Sequence, residues 1–365
     1  MDAGQKVTSF KKFRQSFEQY ERHLSAAAII IALLIDTVTF VRIDLYFTQL
    51  LLVTYLSVVG TGIILINLRE EGRASWLSPG AYWWLFVAVQ FSFGGLFGRF
   101  LIYYSRSGSI FTSWPFLLLL AVLLIGNEFA KKYYTRLVLQ VSFFFLCLFA
   151  FLIFFIPILV GKLGASIFFL SGFAALLIIY AFLRFLLFLI PMRTKPYWKT
   201  IWVSIGSIFL TVNALYILNV IPPIPLSLRD AGIYHSVVRT ALGYRASREA
   251  IPYSLFSIYD TIHLRPGQSV YLYSSVFAPT NFDAYVVQQW QYYDYERKVW
   301  VDSSRIPFPI VGGQDRGYRG YTLKSNPTEG FWRVDIETVQ GQIIGQIEFK
   351  VDLVDEEPEL VVEDL

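Results

Sequence analysis

Between positions 24 and 221 the chain is a succession of long apolar runs separated by short polar segments, and beyond position 226 the apolar positions alternate instead. Seven runs, at about 24–42, 46–66, 80–104, 109–127, 137–157, 164–190 and 199–220, approach the roughly 20 residues that a helix needs to cross a bilayer. The breaks between them hold charged and turn-forming residues, as in NLREEGR (67–73), YSRSGS (104–109), NEFAKKYYTR (127–136) and PMRTKPYWK (191–199). Ahead of the first run, Phe10, Phe13, Phe17, Tyr20 and Leu24 recur on one helical face while Lys11, Lys12 and Arg14 lie off it. Residues 1–23 therefore read as a cytoplasmic amphipathic segment lying on an anionic leaflet.

In the C-terminal part the period is two. QSVYLYSSVFA (268–278), DAYVVQQWQYYD (283–294), KVWVDSS (298–304) and RGYRGYTLK (316–324) read as strands. FWRVDIETVQGQIIGQIEFKVDL (331–353) reads as a hairpin turning at Gln340–Gly341. Val334, Ile336, Ile347, Phe349 and Val351 face a core, while Arg333, Asp335, Glu337, Gln346, Glu348 and Lys350 face outward. GIYHSVVRTALGYRAS (232–247) is compatible with a helix, but its Tyr, Val and Ile content favours strands turning at Leu242–Gly243. Trp290 and Trp332 are the expected core anchors. Six or seven short antiparallel strands over about 120 residues fit an immunoglobulin-like sandwich.

The expected fold is thus an α-helical membrane bundle of seven transmembrane helices plus an all-β immunoglobulin-like sandwich. Its parts are residues 1–23, the bundle (24–221), a proline-rich linker (222–231), the sandwich (232–354) and an acidic, mobile tail (355–365). Composition agrees with this division. Of 365 residues, 55% are hydrophobic and 16% charged, against about 25% charged in soluble domains. Up to Pro225 there are 18 basic and 8 acidic residues; the remainder has 13 and 19. The net +4 averages these unlike halves, and no basic stripe points to nucleic acid. Cys147 is the single cysteine, so no intrachain disulfide forms. No short charged head with a small-residue cleavage site is present, so no cleaved signal peptide is expected.

Lys and Arg in the successive breaks number 5, 1, 2, 1, 3, 1 and 3, counting from the N-terminal segment. Positive charge favours the cytoplasmic side. The alternation predicts a bacterial inner-membrane protein with a cytoplasmic N-terminus and a periplasmic or extracellular C-terminal domain.

Within the runs a few polar residues stand out. Asp36 and Arg99 lie at similar depth in the outer half of the first and third runs, and either charge alone would cost about 3 kcal/mol at mid-membrane. An Asp36–Arg99 pair is the predicted solution, with Asp44 a rival partner for Arg99 and Arg42 for Asp36. Gly94 and Gly98 form a G-x-x-x-G step suited to close helix packing. Gln90 and Asn213 are candidates for hydrogen bonds between helices. In the outer domain, the glycine-rich GGQDRGYRGY (312–321) is the candidate ligand or partner loop, with Asp315, Arg316 and Arg319 as polar contacts and Tyr318 and Tyr321 as stacking surfaces. The alternative is a tight loop whose charges satisfy one another.

The stretches VFAPTNFDAYVVQQWQYYD, GGQDRGYRGYTLK and GFWRVDIETVQGQIIGQIEFKV, in this order, resemble the bacterial "domain of unknown function 2914" family over about residues 268–352. The family often has a His just before the Trp of its second strand, where this chain has Gln288 and Gln289 ahead of Trp290. The resemblance implies a fold and, as in members where the domain follows a membrane bundle, a location. It implies no reaction.

No nucleophile elbow, P-loop or metal-ligand spacing appears, and His235 and His263 stand without a Ser or Cys motif. No catalytic residue, metal or cofactor is expected. The predicted function is non-enzymatic: a bundle that anchors or assembles with other membrane or periplasmic proteins in the lipid bilayer, carrying a protein- or glycan-binding sandwich. The alternative is a transporter or lipid-handling enzyme with a polar cavity around Asp36 and Arg99. A third reading, a receptor that signals through the bundle, has only the N-terminal segment and short loops as its cytoplasmic output.

Overall fold

A computed structural model describes residues 46–107, 110–129, 136–222, 225–241, 243–250, 260–279, 283–311, 317–356 and 358–365. Six helices occupy its first half: α1 (Tyr46–Glu70), α2 (Pro79–Arg106), α3 (Ile110–Phe129), α4 (Leu137–Val160), α5 (Ala165–Leu189) and α6 (Pro191–Ile217). They correspond to the last six of the seven expected runs. The first run and the amphipathic segment lie outside the described residues, so the helix count here is six. Five are long and apolar enough to cross a membrane, while α3 has a shorter apolar stretch, Ser113–Gly126.

Local chemistry sets the helix ends. Ser78 accepts a hydrogen bond from the Ala81 N–H at 3.2 Å, capping α2 ahead of Pro79. At the end of α1, Gly72 takes φ 80°; its N–H reaches the Arg69 carbonyl and the Arg73 N–H that of Leu68, the paired bonds of a glycine-terminated helix. The expected loop at 191–199 is instead the first turns of α6. Pro191 has no N–H to satisfy, and the Glu71 carboxylate accepts the Met192 N–H at 2.7 Å, so the helix begins eight residues before the apolar run does.

The chain divides into two compact units. In the first, Gly62 and Gly95 bring α1 and α2 together. A Cβ on Gly62 would lie 2.1 Å from Val89, and one on Gly95 2.7 Å from Tyr55. Buried Asn67 on α1 donates to Gln140 on α4 at 2.6 Å, and the Ser142 and Ser204 hydroxyls lie 2.6 Å apart between α4 and α6. Phe173, Leu177, Phe185 and Phe188 on α5 and Val203 and Leu210 on α6 are exposed. Apolar surface of this extent belongs in lipid, and exposed Trp76, Trp83 and Trp84 at the start of α2 suit a membrane–water boundary. The chain is a membrane protein.

The second unit contains Tyr104–Leu117, Leu152–Ala174 and Phe209–Leu365, so it joins one set of helix ends to all the strands. Among the described residues, eleven strands form three sheets. The first has order β1 (Ser227–Tyr234), β5 (Ser269–Phe277), β8 (Tyr318–Ser325). The second runs β4 (Asp260–Leu264), β10 (Ile343–Leu353), β9 (Gly330–Thr338), β6 (Asp283–Asp294), β7 (Val299–Val311). The third runs β11 (Leu360–Asp364), β3 (Tyr244–Glu249), β2 (Ser236–Arg239). All pairings are antiparallel except β4 with β10.

One core lies between the first two sheets. Val270, Leu272 and Val276 meet Trp290, Trp332, Val334, Ile336, Phe349 and Val351, with the Trp290 and Trp332 rings 6.5 Å apart and edge-on. A buried polar chain crosses it. Gln288 donates to Ser274 at 2.7 Å, Trp290 to Thr322 at 2.9 Å, and Thr322 to Gln288. A smaller core of Tyr234, Val237, Ala246 and Tyr273 seats the third sheet. Two expectations about the ends of the domain change. The second half of the linker is already β1, and the acidic tail carries β11, which pairs with β3 from Leu360↔Glu249 to Asp364↔Arg245. Its pairing to β3 orders a segment whose acidity reads as solvated.

Candidate functional site

Alternation on β6, β7, β9 and β10 places one row of side chains on the face of the second sheet that turns away from the core. Register sets Gln291 opposite both Asp302 and Arg333, and Arg333 opposite Glu348. Gln291 is held at both ends, donating to Asp302 Oδ1 at 2.7 Å and accepting from Arg333 Nε at 2.8 Å. The Arg333 guanidinium lies 4.6 Å from the Trp300 ring centre, and Tyr293 meets Trp300 and Tyr295 edge-on at 5.3 and 5.2 Å. A bulge between Trp290↔Ser304 and Gln291↔Asp302 lets Trp300, Asp302 and Arg305 share this face while Ile306, Phe308 and Ile310 point into the core.

The next rungs are acidic. Asp335 accepts from Gln346 at 2.7 Å, and Arg305 donates to Glu337 at 3.0 Å. Burial pushes the Asp335 carboxyl up; Gln346 and Arg333 oppose the shift, and Asp302 adds to it. Burial likewise pushes Glu337 up against the pull of Arg305, with Asp335 and Asp302 contributing. The face thus combines a rigid aromatic end with prearranged amide, guanidinium and carboxylate groups.

The residues singled out in the sequence are distributed elsewhere. Asp36, Asp315 and Arg316 lie outside the described residues. Arg99 is buried on α2, over the Tyr55 ring at 5.1 Å and 3.4 Å from the Gly95 carbonyl. Gly98 is buried and Gly94 and Gln90 are half-buried, while the close backbone approaches described on α1 and α2 use Gly62 and Gly95. Asn213 donates to the Phe209 carbonyl of its own helix at 2.7 Å. Tyr318 packs against the main core. On the opposite face of β8, Arg319 donates to the Leu365 carbonyl at 2.8 Å, and its own carbonyl accepts from Tyr244. Tyr321 lies 6.0 Å from both Tyr244 and Tyr271. Structure therefore splits Tyr318 from Arg319 and Tyr321, and the latter two help seat the third sheet.

Sequence inspection missed two constellations. The polar face of the second sheet depends on register and on the bulge, although the outward positions of β9 and β10 were legible. The second is a junction of all three sheets. Glu249 accepts from the His263 N–H at 2.6 Å and lies 2.8 Å from His263 Nδ1 and 3.0 Å from His235 Nε2. Burial works to raise its carboxyl, but the bonds from His263 and His235 prevail and hold it below its usual value. Among the described residues no three His, Cys, Asp or Glu side chains are arranged to hold a metal.

Within the second unit, the β9–β10 turn meets the helix ends. The Gln342 side chain donates to the Ile221 carbonyl at 3.3 Å. Phe168 on α5 stacks on Tyr216 of α6 at 3.7 Å. These residues, with Ile153, Pro157, Leu163, Gly164 and Pro222, line a cleft of about 20 Å³, room for about one water.

Among solved structures, an immunoglobulin-like protein from Pseudomonas aeruginosa is 10% identical, covering 35% of this chain and 96% of its own, with a TM-score of 0.22. A β-glucosidase from Listeria innocua in complex with gluconolactone is 10% identical over 29% of this chain and 16% of its own, with a TM-score of 0.19. An alkylpurine DNA glycosylase from Pseudomonas fluorescens, bound to DNA containing an abasic site analog, is 10% identical over 82% and 97%, with a TM-score of 0.23. At such scores no activity passes from these proteins to this chain. No curated protein matches it. Residues 283–351, which carry β6 to β9 and most of β10 and with them the polar face, match the family model described as "Protein of unknown function (DUF2914)".

Proposed function

We propose that this is a non-enzymatic integral membrane protein of the bacterial inner membrane, in which the helices anchor the sandwich and offer an assembly surface to other membrane or periplasmic proteins. Its immunoglobulin-like sandwich lies on the periplasmic or extracellular side and acts as a recognition module. One observation carries the reading. The β9–β10 turn is seated on the ends of α4, α5 and α6, while the same two strands carry the charged rungs of a face whose aromatic end, Tyr293 and Trp300, lies on the neighbouring β6 and β7. Two of the three breaks with a single basic residue, those around Arg106 and Lys162, belong to the same compact unit as the sheets, which supports the orientation drawn from charge. Asp36 and Arg99 act in this reading as a structural ion pair, a role that suits the packing of Arg99 on Tyr55.

Thiol labelling in intact cells tests the placement. Val238 on β2 is 59% exposed, whereas the native Cys147 is wholly buried. A Val238→Cys variant is expected to react with a membrane-impermeant maleimide once the outer barrier alone is opened. Reaction only after the inner membrane is breached places the sheets in the cytosol and refutes the assignment.

A further inference from the structure

We propose that the outward face of the five-stranded sheet binds an oligosaccharide, with Trp300 and Tyr293 as the stacking surface and Gln291, Asp302 and Arg333 as the hydrogen-bonding rung. This rests on the reading of the sandwich as a recognition module and names its ligand class.

A sugar ring has an apolar C–H face and a rim of hydroxyls, each both donor and acceptor. A surface that recognises it needs an aromatic ring beside planar groups of both polarities. This face supplies them in adjacent rungs. Trp300 is fixed by Arg333 and Tyr293, so little rotamer freedom remains to be lost on stacking. Tyr295, 57% exposed, extends the aromatic end. One rung along, the Asp302–Gln291–Arg333 chain sets acceptor, amide and donor in a fixed order, positioned by the strands themselves rather than by a loop. The bulge beside Asp302 aims that carboxylate at the face.

The same chemistry disfavours a protein partner. The centres of protein interfaces are depleted in Glu and Asp, and this face carries four carboxylates, those of Asp302, Asp335, Glu337 and Glu348. An added peptide strand would need a free edge, and this is a sheet face; Pro307 and Pro309 also interrupt the outer edge of β7.

The test uses the full-length protein in lipid nanodiscs, free of sugar-headed detergent, titrated calorimetrically with cellohexaose, N-acetylchitohexaose and soluble peptidoglycan glycan strands. Saturable binding of at least one is expected. Trp300→Ala and Gln291→Leu should each weaken it about tenfold, the equivalent of roughly 1.4 kcal/mol, with Trp300→Phe retaining most of the affinity. Thermal midpoints close to the parent protein's show that the variants remain folded. Absence of saturable binding to all three glycans overturns the proposal, as does binding that neither Trp300→Ala nor Gln291→Leu weakens. Nanodiscs expose both sides, so the outcome is independent of the labelling result. Failed labelling with intact glycan binding refutes the placement alone, and the converse refutes the ligand alone.

Discussion

At the scale of single residues, the two glutamines ahead of Trp290 are informative. Family resemblance leads one to expect a histidine there, and a function attached to it. Gln288 is instead wholly buried and bonded to Ser274 and Thr322; it completes a polar chain inside an apolar core. Such a chain is stable only while every member is satisfied. Thr322 is its pivot, accepting from Trp290 and donating to Gln288. Thr322→Val keeps the shape and strands both partners, at about 1–3 kcal/mol for each buried group left unpaired. The variant should lose about 2–6 kcal/mol of stability in chemical denaturation, whereas Thr322→Ser, which keeps the hydroxyl, should lose much less. A loss in Thr322→Val no larger than that in Thr322→Ser would show that the two hydrogen bonds do not set the cost.

At the scale of elements, the Glu249 junction ties β3 to β4 and to the β1–β2 connection, so one carboxylate fastens the third sheet to the other two. The neighbouring charges are already paired, Arg248 with Glu363 at 3.0 Å and Lys350 with Asp352 at 2.7 Å. A carboxylate whose folded pKa is depressed contributes stability above its unfolded value, and that contribution is lost as pH falls through the folded one. The melting midpoint of the parent protein should therefore drop more steeply below about pH 4.5 than that of Glu249→Gln, with the difference between them largest near neutrality. Parallel pH profiles would remove Glu249 from the account. Little of this junction is legible in the sequence, because residues 235, 249 and 263 meet only through the register of three sheets. By contrast, the β9–β10 hairpin was legible down to its turn, since strict alternation fixes which side chains face the core. The start of α6 was not, because hydropathy reports what faces lipid, and the polar first turns of that helix are settled by Pro191 and a carboxylate from a distant loop. The acidic end of the chain misleads for a related reason: its pairing to β3 is a backbone property that side-chain charge does not report.

At the scale of the molecule, the question is whether the sandwich hangs from the membrane by a flexible tether or is built onto it. Three prolines between 220 and 230 suggest a semi-rigid spacer, but the contacts describe a seat. Asn219 adopts φ 56°, closing α6 with bonds from its own N–H to the Tyr216 carbonyl and from Val220 to Leu215. Immediately afterwards the Ile221 carbonyl accepts Gln342 from the hairpin turn, and Phe168 stacks on Tyr216 one turn below. Binding at the Gln291–Arg333 rung would therefore reach, through Arg333 on β9, a hairpin whose turn rests on α5 and α6. If the seat is one cooperative structure, loosening one side must loosen the other. Phe168→Ala, a change on the helix side alone, should raise amide hydrogen exchange both in the first turns of α5 and at the β9–β10 turn, while β5 and β6 in the main core stay protected. Faster exchange confined to the helix, with the hairpin turn unchanged, would mean that the sandwich is merely tethered, and that events on its outer face stop there.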